Sequence, residues 1–161
     1  MEPMGFNNDD RVWGLVAQGR LTKPRGNNPL TDSFSLSVLL YMAHNTYDWP
    51  PDGKLKRLRV PCRLYTRGWR SISEAMALTA IDADKLANAT EEEAEAMMET
   101  RENNAKGRIS KAWAFLREQG LIKKIDPQRP GMNAAFLLLL GDDEENRACE
   151  AWARECLQGK R

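Results

Sequence analysis

One histidine, His44, and three cysteines, Cys62, Cys149 and Cys156, are the only imidazole and thiol groups in the chain's 161 residues. The cysteines are odd in number and contain no Cys-x-x-Cys pair, which argues against both a disulfide framework and a zinc cluster. Three buried or idle thiols and no metal are expected. His44 falls near the end of a helical pattern, where a lone histidine is far more often packed or solvated than a ligand. No apolar run approaches the ~20 residues of a membrane span, and residues 1–10 are polar and acidic rather than basic-then-apolar. A soluble, cytoplasmic protein with no membrane partner is the expectation. There is no histidine-paired nucleophile and no glycine-rich phosphate loop, so neither an enzyme nor a cofactor is expected.

What is present is a globular composition, 42% hydrophobic and 29% charged, long enough for one domain with a real core. The net charge of +1 hides a sorting of charges along the chain. Residues 53–70 hold seven cations (Lys54, Lys56, Arg57, Arg59, Arg63, Arg67, Arg70) and no acid, whereas residues 82–102 hold eight acids against Lys85 and Arg101. Residues 103–130 turn basic again, and residues 141–158 acidic. Two basic blocks around an acidic one suit a polyanion on one face with the acids turned away; solvated helix faces pairing with one another are the simpler alternative.

Along the chain, Asp9 or Asp10 would cap a short helix carrying Val12, Trp13 and Val16, an arm packed on the body. Residues 21–30 read as a loop, with Lys23 and Arg25 as possible phosphate contacts or merely mobile cations. Thr31 or Asp32 would cap the first core helix, from Ser33 to about Thr46, with Phe34, Val38, Leu39, Tyr41 and Met42 on or near one face. Residues 55–65 alternate loosely and suggest a short strand. Residues 68–78 form an amphipathic helix with Trp69, Ile72, Ala75 and Met76 inward. Arg70 and Ser71 stand near its N-terminus, where outward N–H groups favour a phosphate. A capping box at Thr90 and Glu93 opens an acidic helix. Last, residues 142–158 repeat Ala148/Cys149, Trp152/Ala153 and Cys156/Leu157, a stripe that docks on the body or on a second copy.

Residues 108–122, RISKAWAFLREQGLI, say most. Ile109, Ala112, Trp113 and Leu116 lie on one helical face, while Lys106, Ser110, Lys111 and Ala114 face away. Gly120 stops the helix, residues 121–125 alternate as a half-buried strand, a turn-rich segment follows, and residues 134–140 form an apolar returning strand. This order of helix, Gly-Leu-Ile stop, strand, loop and strand resembles the second half of a winged helix-turn-helix domain, over about residues 104–140. The resemblance implies a mainly α fold with a small β-hairpin, a recognition helix at about 104–119 and a wing at about 122–140. The domain would occupy residues 31–140, with residues 1–30 as arm and basic loop and 141–161 as a C-terminal helix.

It further implies binding of double-stranded DNA in transcription regulation or in plasmid or phage replication. Lys106, Arg108, Ser110 and Lys111 would face the major groove, Gln128 and Arg129 the minor groove or backbone, and Arg67, Arg70, Ser71 and Lys123 phosphates. One departure stands out. The helices of a helix-turn-helix are joined by a turn of ~3–4 residues, whereas here an insertion of about 79–103 intervenes, as an extra helix, a loop or an extension of the recognition helix broken near residues 103–107. A homodimer through the C-terminal helix is a further implication. Two other functions remain open: a protein-interaction adaptor whose acidic segment 82–102 engages a basic partner, and an RNA-binding protein stacking bases on Tyr65 and Trp69.

Overall fold

Helices form wherever apolar residues recur at helical spacing, and they make up most of the fold. The computed structural model describes residues 5–125 and 132–159. In order these are α1 (Phe6–Ala17), β1 (Thr22–Arg25), β2 (Asn28–Thr31), α2 (Ser33–His44), α3 (Gly53–Leu58), β3 (Leu64–Tyr65), α4 (Gly68–Ala75), α5 (Ala83–Ala87), α6 (Glu91–Glu118), β4 (Ile122–Ile125), β5 (Ala135–Leu138) and α7 (Asp143–Gln158). Strands β3, β5 and β4 form an antiparallel sheet in that spatial order, and β1 and β2 form a separate hairpin. Gln128 and Arg129, the expected wing residues, lie outside the described residues.

The sheet divides two apolar clusters, as the two-residue period of strands requires. Ile122, Phe136 and Leu138 join Val12 and Leu15 of α1, Val38, Leu39 and Met42 of α2, Ile72 of α4 and Ile109, Ala112 and Leu116 of α6. The opposite face, through Leu64, Ile125, Ala135 and Leu137, meets Cys62 and the α7 residues Cys149 and Ala153. The apolar stripe of α7 is therefore covered by the chain's own sheet, leaving its charged side outward, so the surface on which the dimer expectation rested is already in use. Helix α1 packs on the body through Val12 and Leu15, which belong to the main core.

Several local expectations are corrected. Residues 21–30 are not a loop: the turn residues Gly26 and Asn27 join β1 and β2, with Arg25 opposite Asn28 and Gly26 at φ +57°, the place a two-residue hairpin gives to glycine. The basic stretch after Asp52 is a helix, α3, because the Asp52 carboxylate caps the N–H of Leu55 at 2.8 Å; only Leu64 and Tyr65 are strand. Helix α1 begins before Asp9 and is capped from a distance, Asp48 accepting from the N–H groups of Asn7 and Asn8 at 3.2 and 2.9 Å. Trp13 is exposed on that helix, and Ala75 is exposed on α4 where Ser73 is buried instead. Gly120 ends α6 at φ +70° as expected.

The insertion is now defined. Residues 79–103 hold the short α5, capped by Asp82, and then the first half of α6, which runs 28 residues without interruption at Asn103, Asn104 or Gly107. The recognition helix expected at 104–119 is thus the second half of a longer rod, and the Thr90–Glu93 capping box is formed. No residue from 83 to 104 is buried, in contrast to Ala105, Ile109, Ala112 and Leu116 beyond it.

Candidate nucleic-acid interface

The second half of α6 is organised by its 3.6-residue period. Burial of Ala105, Ile109, Ala112 and Leu116 leaves Gly107, Ser110, Lys111 and Ala114 as an exposed strip on the other side. The two flanks between these faces are distinct. On one, Lys106 stands 5.8 Å from the Trp69 ring of α4, and half-buried Trp113 packs on Phe136 of β5 at 4.6 Å. On the other, Arg108 lies 4.2 Å from the Phe34 ring of α2, and Phe115 carries Lys23 of β1 at 4.5 Å. Aromatic faces hold these cations near their positions while leaving the charge available, since a ring quadrupole attracts a cation without neutralising it.

Gly107 sits mid-helix, and a Cβ there would meet nothing within 4 Å among the described residues. A helix-interior glycine costs about 1 kcal/mol against alanine, and no packing among the described residues explains it. Small residues at Gly107, Ser110 and Ala114 make a strip that another surface can approach closely, with Lys106, Arg108 and Lys111 around it. Among the described residues, no ion pair involves these three cations.

The remaining expected contacts fare differently. Arg67 is exposed at the N-terminus of α4, whose first turn has no side-chain cap. Arg70 is ion-paired with Glu102 of α6, and the Ser71 hydroxyl is hydrogen-bonded to that of Tyr41 at 2.6 Å, so both have internal partners. Lys123 is also occupied: its amine donates to Glu150 of α7 at 2.8 Å, on the sheet face turned from α6. That bond from Lys123 holds the Glu150 carboxyl below its ordinary value, with Arg154 adding to the effect. Lys124, its exposed neighbour in β4, shares the opposite face with Ile122 and stands across from Phe136. Strand alternation would have singled out Lys124 rather than Lys123.

The first basic block does not form one surface. Lys54, Lys56 and Arg57 belong to α3; the adjoining Arg59 pairs with Glu155 of α7 at 3.3 Å. Arg63, only 1% exposed, donates to Asn8 Oδ1 at 2.9 Å and Glu145 Oε2 at 3.2 Å, tying α1, the sheet and α7 together. Burial raises the thiols of Cys62 and Cys149, to about 12 and about 11 respectively, with Cys149 adding to the effect on Cys62. Burial is also the main cause raising the Tyr65 phenol, whose O–H donates to the Gly68 carbonyl at 2.8 Å. Among the described residues there is no group of three or more His, Cys, Asp or Glu placed to hold a metal, and no helix long and apolar enough to cross a membrane.

Compared with protein-family models, with curated proteins and with solved structures, the chain matches none.

Proposed function

We propose that this protein binds duplex DNA through the exposed strip of α6, acting in transcription regulation or in plasmid or phage replication. The observation that carries the reading is the strip itself: an unpacked Gly107, small neighbours Ser110 and Ala114, and the cations Lys106, Arg108 and Lys111 without ion pairs among the described residues. With α3 and α5 set aside as insertions, the order α2, β3, α4, α6, β4, β5 and the sheet arrangement β3-β5-β4 support a winged helix in which α4 positions α6 and β4–β5 is the wing. In that arrangement Lys106, Arg108, Ser110 and Lys111 enter the major groove, and Arg67 and Lys124 meet phosphates. Phosphate contacts supply affinity, while the bases are read by the side chains of the strip.

Fluorescence anisotropy on random-sequence duplex DNA at ~50 and ~200 mM salt tests this, because counterion release makes phosphate-driven affinity fall steeply with salt. The wild-type protein is expected to bind and to weaken by at least about tenfold over that range. Changing Lys106 and Lys111, both exposed, to Glu should abolish binding and leave thermal unfolding nearly unchanged. No binding at ~50 mM salt would sink the proposal. It would favour the second reading, an adaptor, which the acidic arm of α5 and the first half of α6, with no buried residue from 83 to 104, supports.

A further inference from the structure

We infer that the β1–β2 hairpin is a second DNA-contacting arm, reaching the minor groove on the flank of α6 opposite β4–β5, with Arg25 as its inserted side chain. This rests on the reading of α6 as the helix that meets duplex DNA.

The hairpin adds little to the core. All of β2 and the Pro24–Arg25 half of β1 are exposed or nearly so, and an isolated two-stranded hairpin is marginal in water on its own strands. Its root is nevertheless held. The Asp32 N–H donates to the Leu21 carbonyl at 2.9 Å, the Thr22 hydroxyl to the Gly19 carbonyl at 2.9 Å, and Lys23 pairs with Asp32 at 3.3 Å while lying over Phe115 of α6. Lys23 therefore connects the arm directly to the helix proposed to read DNA.

The chemistry of the arm is selective about what it can meet. Pro24 faces Pro29 across the ladder; prolines lack the N–H needed to recruit another strand, so the arm is stiff and closed to strand addition. Residues 20–31 contain Arg20, Lys23 and Arg25 and no acid. The tip presents Arg25, Gly26, Asn27 and Asn28, a cation and amides around a glycine that permits close approach, the residue types that enter a minor groove.

Phe115 and Trp113 lie on opposite flanks of α6: the first touches Lys23 of β1 and the second Phe136 of β5. With α6 in a major groove, β1–β2 lies on one flank and β4–β5 on the other, and the Arg25 tip of β1–β2 faces the neighbouring groove.

The test compares wild type, Arg25→Ala and Lys111→Glu on an A·T-rich duplex of about 30 base pairs, with and without the minor-groove ligand distamycin. Arg25→Ala should bind about fivefold or more weaker, lose about one unit of salt slope and lose most of the sensitivity to distamycin. Thermal unfolding should stay unchanged, because Arg25 is exposed. If Lys111→Glu loses binding while Arg25→Ala keeps wild-type affinity, slope or distamycin sensitivity, the arm is idle and the α6 reading stands. If wild type does not bind the duplex, both fall together.

Discussion

Gly107 is a residue whose cost and use can be separated by one substitution. It is exposed, mid-helix and, among the described residues, without a neighbour where its Cβ would be. Gly107→Ala should therefore stabilise the fold by about 0.5–1 kcal/mol, read as a higher urea midpoint at unchanged slope. The added methyl projects from the strip proposed to meet DNA, so duplex affinity should fall even as stability rises. A substitution that stabilises and leaves affinity untouched would show that the glycine serves no close approach. Arg63 is the contrasting residue: counted by sequence among surface cations, it is buried and bonded to Asn8 and Glu145. Its backbone at φ +53°, an uncommon conformation for a side-chain-bearing residue, is held at both ends. Its N–H donates to the Tyr47 carbonyl at 2.9 Å and its carbonyl accepts from Leu138 at 2.8 Å.

Elements were legible where one period ran long enough. The apolar spacings of α2, the second half of α6 and α7 specify their buried faces, whereas in the eight-residue α4 only Ile72 of the expected face is buried; Gly120 specifies where α6 ends. The β1–β2 hairpin was hidden by its prolines, which weaken a strand reading although Gly26-Asn27 is itself a hairpin signal. Helix α3 was hidden because its six residues give too short a period, and its cap at Asp52 was the better clue. The exposed strip of α6 could be read, but the partners of Arg70, Ser71 and Lys123 could not: each is supplied by an element distant in sequence. The contact between β4 and α7 also predicts a pH effect. Lys123 lowers the folded-state value of Glu150, so this pair's contribution is complete above the ordinary glutamate value, near pH 4.5, and is lost as pH falls through the lower folded value. Stability measured by urea between pH 7 and pH 3 should decline on the acid side, and Glu150→Gln should flatten that decline. An identical acid limb in the variant would show that the pair contributes nothing.

Across the whole molecule, burial is uneven. The sheet, α1, α2, the second half of α6 and α7 enclose both apolar clusters, while residues 83–104 contribute no buried side chain. Native-state hydrogen exchange should divide along the same line, since local opening is cheapest where few apolar contacts hold the backbone. Amides of residues 94–103 should exchange at least about a hundredfold faster than those of residues 109–116, although one helix contains both. Equal protection along α6 would mean that the acidic half is stabilised by something other than burial.

That shared helix is also a mechanical element. Its 28 residues span roughly 42 Å at ~1.5 Å per residue, with the acidic half at one end and Lys106 to Ala114 towards the other. Hydrogen bonds along a continuous helix resist twisting, so the azimuth of the acidic half is keyed to that of the basic strip. Anything that clasped the free end would take hold of a lever, and a small tilt there would swing the opposite end as one piece with it.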